Sequence, residues 1–280
     1  MSGEKKLDPR LRRHLQSLKR AGLEYVSASR FAAPLDDLAA AMPEPESRIE
    51  EGRASSTATK QQETPTMLFG AELQRASAPT PLSSSAKDES LAILAAEVAQ
   101  CVRCPELVAS RSRTVFADGG SHAEICFVGE APGADEDEQG VPFVGRAGQL
   151  LTDMIVKGLK LSRRDVYICN VIKCRPEGNR NPTWQEMTNC QLHLERQLDI
   201  IQPKVVVALG KHAAAFLMGR KPEQTPIGKL RGHWTEYRGI PVMPTWHPAY
   251  ILRGGPNPPS KREFWNDMKE VMRKIGRPIE

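Results

Sequence analysis

The chain has 280 residues, of which 40% are hydrophobic and 26% charged, and its formal net charge is +5 at pH 7. This length accommodates one large domain or two smaller ones, and the apolar fraction supports a sizeable core. No signal peptide or long apolar span is visible in the sequence. We therefore exclude a membrane protein and expect a cytoplasmic location, with reduced cysteines rather than disulfides.

The N-terminal part differs in composition from the rest of the chain. In residues 1–42, leucines recur at helical spacing among arginines and lysines, which predicts a basic amphipathic helix. Residues 43–90 are rich in Pro, Ser, Thr and Ala, which predicts a disordered linker. The Thr-Met-Leu-Phe tetrad at residues 66–69 is either a docking motif for a replication sliding clamp or an incidental hydrophobic run. We therefore expect the folded domain at residues 91–280.

Short apolar runs alternate with longer helical patterns in the expected folded domain. The runs that predict β-strands are residues 124–128, 166–172, 204–209 and 240–244. The patterns that predict helices are residues 147–161, 184–201, 212–217 and 261–275. Such alternation predicts an α/β fold: a three-layer α/β/α sandwich with a central, mainly parallel four-stranded sheet. Ligands of such sheets bind beyond the carboxyl ends of the strands. Residues 129–133, Asn170 and residues 247–253 follow three of these strands, so we expect them to converge.

Four cysteines have a spacing that is typical of a metal centre. They are Cys101, Cys104, Cys174 and Cys190. The first two form a Cys-x-x-Cys pair, and a close pair plus two distant thiols can converge on zinc or on an iron-sulfur centre. Free thiols are the alternative. The remaining two cysteines, Cys126 and Cys169, lie in apolar runs and are predicted to be small core residues.

The glycine-rich sequence after the first predicted strand does not have the character of a phosphate-binding loop. It spans residues 129–133, and four consecutive carboxylates follow it at residues 135–138. Because these charges would repel a phosphate, we expect a solvated loop here, with Glu130 as the carboxylate that points inward. A basic excess over residues 204–262 is a candidate phosphate-facing surface, although proteins that do not bind nucleic acid also show such an excess.

Three segments, in order and spacing, resemble the family 4 uracil-DNA glycosylases. They read GEAPGADEDEQGVPFVGRAGQLL at residues 129–151, NVIKCRP at residues 170–176 and HPAYILR at residues 247–253. The resemblance covers about residues 91–275. It implies that the four cysteines hold a 4Fe-4S cluster, with zinc as the alternative. It also implies a monomeric enzyme of base excision repair that flips uracil out of DNA and hydrolyses its N-glycosidic bond, leaving an abasic site.

The resemblance assigns the base-binding residues. Phe143 stacks on the flipped uracil, and stacking alone is tolerant of base identity. Asn170 reads the base, because one carboxamide can accept a hydrogen bond from uracil N3–H and donate one to O4. His247 faces uracil O2, where negative charge grows as the glycosidic bond breaks. Backbone N–H groups around Ala131 also contact the base.

The resemblance also implies which residues act on water, whereas the DNA contacts are predicted from the loop that ends at Arg253 and from the basic residues that follow Asn170. Better-known uracil-DNA glycosylases carry an Asp where this chain has Ala131. Glu130 is therefore the first candidate, and Glu136 the second, for positioning the attacking water or stabilising the cation-like sugar. The residues predicted to contact the DNA backbone are Arg253, Lys173, Arg175 and Arg180. Two other functions stay open at this point: an iron-sulfur module that binds nucleic acid without catalysis, and a small-molecule hydrolase or transferase.

Overall fold

The computed structural model of the protein describes residues 83–279. The predicted helix in residues 1–42, the tetrad at residues 66–69 and most of the predicted linker lie outside the described residues. None of the helices in residues 83–279 combines the length and the apolar character needed to cross a membrane.

Six β-strands form one sheet in the described residues. They are β1 (Asp118–Gly119), β2 (Ile125–Gly129), β3 (Val166–Asn170), β4 (Val205–Leu209), β5 (Thr235–Tyr237) and β6 (Ile240–Thr245). Their order across the sheet is β1-β3-β2-β4-β6-β5. The inner four strands pair in parallel, whereas β1 and β5 pair antiparallel at the two edges. The predicted parallel strands are confirmed as the centre of the sheet, and the two short edge strands were not predicted.

Nine α-helices surround this sheet within residues 83–279. They are α1 (Ser84–Ala99), α2 (Pro105–Ser110), α3 (Ala134–Gln139), α4 (Arg146–Asp153), α5 (Trp184–Ile201), α6 (Lys211–Leu217), α7 (Ile227–Leu230), α8 (Pro248–Arg253) and α9 (Pro259–Lys274). The four predicted helices correspond to α4, α5, α6 and α9. A π-helical turn, Met154–Gly158, extends α4 to nearly its predicted length.

Apolar side chains on both faces of the sheet build two cores. On one face, Cys126 and Val206 pack in a cluster with side chains of α5 and α6. On the other face, Phe127 and Val207 pack with side chains of α4 and α9. Every residue of β2, β3 and β4 is buried, which is typical of parallel strands covered on both sides. The predicted three-layer architecture is therefore confirmed.

The domain begins earlier than residue 91, the boundary that composition predicts. Helix α1 starts at Ser84, and the hydroxyl of Ser83 accepts a hydrogen bond from the backbone of Ala86. Leu94 and Val98 of this helix are fully buried. The end of the predicted linker is therefore wrong, because its Ser- and Ala-rich residues form the first turns of a capped helix.

The acidic run after β2 is also helical, where a solvated loop was expected. It forms α3, and Asp137 within it is only 2% exposed. The Asp137 carboxylate accepts hydrogen bonds from the backbone N–H groups of Ser112 and Arg113. Glu130 is thus not the only inward-pointing carboxylate of this region. Carboxylates in the first turn of a helix are favoured by its exposed N–H groups.

Candidate active site

A cavity of about 680 Å³ opens at the carboxyl ends of the parallel strands. One residue at the end of each strand lines it: Glu130 after β2, Asn170 in β3, Gly210 after β4 and His247 after β6. The three segments that were expected to converge do meet here. This edge is where ligands of α/β sheets bind.

Phe143 lies at the cavity with a backbone that its neighbours hold in an unusual conformation. Its φ angle is +55°, a left-handed value that is uncommon for a residue with a side chain. The ring is buried and lies 5.8 Å from the His247 ring, centroid to centroid. The Arg163 guanidinium donates to the carbonyls of Pro142 and Phe143 at 2.9 and 3.2 Å. Gly148 permits this arrangement, because a Cβ there would lie 2.0 Å from the Phe143 carbonyl.

Glu136 holds the same loop from the other side. Its Oε1 accepts hydrogen bonds from the backbone N–H groups of Val144 and Gly145, each at 3.0 Å. Its Oε2 accepts one from the N–H of Gly133, also at 3.0 Å. Both carboxylate oxygens are therefore committed to the backbone, which argues against the predicted role of Glu136 in positioning water. Its observed function is to fix the residues that carry Phe143.

Asn170 is the most strongly buried polar side chain of the cavity wall. It is 2% exposed, and its Oδ1 has no hydrogen-bond partner among the described residues. A Cβ on Gly129 would lie 2.3 Å from Oδ1 and 2.5 Å from the Phe143 ring, so only glycine fits between them. A buried acceptor without a partner costs about 1–3 kcal/mol in the protein alone. The carboxamide is thus ready to bind a donor from a ligand.

His247 caps the N-terminus of α8, a helix that was not among those predicted from the sequence. Its Nδ1 accepts a hydrogen bond from the backbone N–H of Ala249 at 3.1 Å. Burial lowers the pKa of His247 to about 4, although the nearby Glu130 carboxylate acts in the opposite direction. At neutral pH the ring is therefore uncharged. Because Nδ1 is the acceptor, Nε2 carries the proton and can donate to a ligand.

Glu130 has a partner that sequence reasoning missed. Its Oε2 lies 2.7 Å from Nδ1 of His212, which is buried in the first turn of α6 and also lines the cavity. The signal was present in the sequence, since residues 210–212 follow β4 at the same edge of the sheet as the other site residues. His212 lies outside the three motifs and was therefore not among the predicted site residues.

The basic residues predicted to contact DNA occupy different environments. Arg253 is exposed at the rim, 5.9 Å from the centroid of the Tyr250 ring, which stacks on Trp246 at 4.6 Å. Arg180 also lines the rim, but its guanidinium forms two hydrogen bonds with the Glu186 carboxylate. Arg175 lies outside the cavity lining and donates to the Asn179 side chain at 2.8 Å.

The environment of Lys173 contradicts the prediction that this residue contacts the DNA backbone. The side chain is 1% exposed, and its Nζ donates to the carbonyl oxygen of Asn170 at 2.6 Å. A side chain buried to this degree cannot reach a phosphate on the surface. The prediction rested on proximity in sequence to Asn170, and that proximity instead places the lysine beneath the site.

A second, smaller cavity brings together the four cysteines with the predicted metal-centre spacing. Cys101, Cys104, Cys174 and Cys190 all line it, together with Arg111 and Lys173. None of the six cysteines, all of which lie within residues 83–279, forms a disulfide. Cys126 and Cys169 are fully buried core residues, as predicted. Arg111 donates to the Cys174 sulfur at 2.8 Å. Burial raises the pKa of Cys190 to about 12, against the charge of Lys173.

The side chains of this cavity fit the donor set of an iron-sulfur cluster. Among residues 83–279, no three or more His, Cys, Asp or Glu side chains are grouped so that they could hold a metal ion. Four sulfurs around one cavity are nevertheless the donor set of an iron-sulfur cluster, whose several iron atoms spread the ligands further apart than one ion does. Two cationic side chains beside them match the negative charge of a thiolate-bound cluster.

Both cavities share one segment of the chain. After Asn170, the backbone N–H groups of Val171 and Ile172 donate to the carbonyls of Gly129 and Glu130 at 2.9 and 3.2 Å. Cys174 follows two residues later. The segment that carries one cysteine is therefore hydrogen-bonded directly to the residues that form the wall of the larger cavity.

Comparisons with known proteins agree with this geometry. A type-4 uracil-DNA glycosylase of Saccharolobus solfataricus is 42% identical over 195 residues, covering 67% of this chain and 88% of that protein. The type-4 enzyme of Archaeoglobus fulgidus is 41% identical over 194 residues, covering 68% of this chain and 95% of that protein. The type-4 enzyme of Thermotoga maritima is 44% identical over 172 residues, or 61% of this chain and 88% of that protein.

The model of one protein family also matches residues 116–269, described as the uracil DNA glycosylase superfamily. This range contains all strands of the described sheet and every residue that lines the larger cavity. The match covers more than half of the chain, and the relatives match over most of their own length. By its sequence and by the site that its sheet builds, this chain belongs to the uracil-DNA glycosylase superfamily.

Proposed function

We propose that this protein hydrolyses the N-glycosidic bond of uracil in DNA and leaves an abasic site, as an enzyme of DNA repair. The observation that carries the proposal is the unpartnered Oδ1 of Asn170 in a cavity that also contains Phe143 and His247. A ligand that donates one hydrogen bond to this acceptor and presents a flat ring to Phe143 would satisfy the site. Uracil, with its N3–H group, has both features.

Base recognition follows from two side chains. Phe143 offers a ring face, worth roughly 1–3 kcal/mol of stacking for any base. Asn170 adds selectivity, because its carboxamide accepts from N3–H and donates to O4, whereas cytosine presents the reverse pattern. Ala131 also lines the cavity, and we expect backbone N–H groups near it to contact the base. A mismatched pair in this buried position costs about 1–3 kcal/mol.

Bond cleavage places negative charge on the departing uracil. As the bond between N1 and C1′ breaks, its electron pair moves onto the base and the sugar becomes cation-like. The neutral His247 ring can donate from Nε2 to uracil O2, where this charge accumulates, and one such donor is typically worth about 10²- to 10³-fold in rate. Water then adds to C1′ and releases a proton. Glu130 is the carboxylate of the cavity that we assign to orienting this water.

The DNA itself requires contacts outside the base cavity. Flipping a nucleotide costs a few kcal/mol, which backbone contacts and wedge residues offset. Arg253 at the exposed end of α8 is our principal candidate for a phosphate contact, followed by Arg175. Arg180 is a weaker candidate because Glu186 neutralises it. The aromatic pair of Trp246 and Tyr250 offers further stacking surface beside Arg253.

We further propose that the four cysteines of the smaller cavity ligate a 4Fe-4S cluster. Such a cluster would supply a rigid cross-link among α5, the segment before α2 and the segment after β3. Ligation by Cys174 would fix this residue, and thereby Asn170, relative to Glu130. The proposed role of the cluster is structural, and no step of base recognition or bond cleavage involves it.

The test is excision of uracil from a labelled duplex that contains a single uracil, followed by alkaline cleavage of the abasic site. Anaerobically purified protein should cleave the uracil strand and leave a thymine duplex intact. The variant Asn170→Leu should lower the single-turnover rate roughly 10- to 100-fold, because it removes both hydrogen bonds to the base. Cleavage of both duplexes at equal rates would contradict the assignment of Asn170 as the reader, and no cleavage at all would refute the function.

A further inference from the structure

We infer that His212 is a positioning residue that holds the Glu130 carboxylate in the orientation needed for the attacking water. The inference rests on the proposed function and adds to it a residue outside the three motifs. Its basis is the distance of 2.7 Å between His212 Nδ1 and Glu130 Oε2 at the wall of the larger cavity.

The two carboxylates of this cavity differ in how they are bound. Glu136 has both oxygens bonded to backbone N–H groups. Glu130 has one oxygen 2.7 Å from Nδ1 of His212, and no described residue donates a hydrogen bond to the other oxygen. A carboxylate held by one oxygen keeps the second available for water while its plane is fixed. Of the two, only Glu130 has this arrangement.

His212 sits on a rigid support. It lies in the first turn of α6, next to three alanines, Ala213 to Ala215, that are fully buried. Gly210, with a φ angle of +88°, makes the sharp turn from β4 into this helix. A Cβ on Gly210 would lie 2.8 Å from the Cβ of His247, so the turn also brings α6 close to the other histidine of the site. The ring of His212 is thus placed by the sheet rather than by a loop.

The contact between His212 and Glu130 does not depend on the charge of His212. A carboxylate can only accept, so the Nδ1 atom carries the proton in both the neutral and the cationic ring. The side chains are 11% and 24% exposed for His212 and Glu130, so water competes little for this bond. A hydrogen bond donated to a carboxylate is roughly twice as strong as a hydrogen bond between two neutral groups. Orientation, and not proton transfer, is therefore the role that the geometry gives to His212.

A matched pair of variants tests this role. Leucine and asparagine branch alike at Cγ, but only His212→Asn keeps an N–H donor near the position of Nδ1. We expect His212→Leu to lower the single-turnover rate of uracil release roughly 10- to 100-fold, since misplacing a reacting group costs this much. The dissociation constant for a uracil duplex should stay within about threefold of the unmodified protein. His212→Asn should restore most of the rate.

A double-mutant cycle with Glu130→Gln separates positioning from a general effect on the fold. In the Glu130→Gln background, His212→Leu should cost less than about threefold, because the carboxylate that it positions is gone. An equal loss in both backgrounds would overturn the inference, as would an unchanged rate for His212→Leu. If that variant does not fold, His212→Phe supplies the same test with a ring of similar shape. Absence of uracil release from the unmodified protein would instead refute the proposed function.

Discussion

The surroundings of His247 keep its ring neutral at physiological pH. Burial lowers its pKa to about 4, with contributions of the same sign from Arg253 and His212. The hydrogen bond from Ala249 to Nδ1 fixes which nitrogen carries the proton. A neutral ring is a weaker hydrogen-bond donor than an imidazolium ring. It can be buried in the cavity without burying a charge, and it stays neutral across the physiological pH range.

This environment predicts the pH dependence of the reaction. The folded pKa lies below the usual 6.5, so the neutral form of His247 predominates at every pH above about 4. The single-turnover rate should therefore be flat from pH 6 to 8 as far as His247 is concerned. It should fall only as the pH approaches 4, because protonation of Nδ1 breaks the hydrogen bond from Ala249 that orients the ring. Rates at constant ionic strength measure this profile, with iron content checked at each pH. A rate that falls tenfold for each unit by which the pH rises above 5 would indicate that the donor is a cationic ring. That result would contradict the assignment of a neutral His247.

At the scale of elements, the site depends on a clamp around the loop between α3 and α4. Arg163 lies just before β3, and its guanidinium donates hydrogen bonds to three parts of the chain. It donates to the carbonyls of Pro142 and Phe143, to the Thr152 hydroxyl in α4 at 2.8 Å and to the Asp118 carboxylate in β1 at 2.6 Å. A left-handed conformation costs about 1–2 kcal/mol for a residue other than glycine, so Phe143 stays there only while such contacts persist.

We predict that Arg163→Met loosens this loop and impairs base stacking. Loss of charge-assisted hydrogen bonds should destabilise the domain by about 1–3 kcal/mol, measured by thermal unfolding. The rate of uracil release at low substrate concentration should fall at least about tenfold, because Phe143 is no longer held against the base. Arg146→Met, at an exposed arginine of α4, is the matched control and should change neither quantity. Equal effects of the two variants would show that Arg163 has no special role.

The sequence predicted those elements whose pattern is local. The inner strands appear as apolar runs because both of their faces are buried, and α5 was predicted to the residue because Thr183 and Glu186 form a capping box at its start. The segment of α3 was expected as a loop and α8 was not predicted, because six residues give too few turns for an apolar period. Arg163 and Lys173 act through contacts with distant parts of the chain, which no local pattern reveals.

At the scale of the whole molecule, the segment from Asn170 to Cys174 joins the base-binding cavity to the cysteine cavity. Lys173 lies in its middle, with its Nζ on the carbonyl of Asn170 and with the cysteine cavity beside it. No carboxylate in residues 83–279 forms an ion pair with this ammonium group. A buried charge without a counter-charge is strongly destabilising. The anionic cluster that we propose for the neighbouring cavity would provide the missing counter-charge.

Replacement of Lys173 by methionine therefore has opposite effects on two forms of the protein. In the iron-free protein, Lys173→Met removes an uncompensated buried charge and should raise the temperature of thermal unfolding, since apolar replacements of buried charges are often neutral or stabilising. In the iron-loaded protein, the same change removes a partner of the anionic cluster and should lower that temperature. Lys211→Met, at an exposed lysine on the cavity rim, is the control and should alter neither form. A shift of the same sign in both forms would show that Lys173 is not paired with the cluster, because a purely structural lysine responds alike with and without iron.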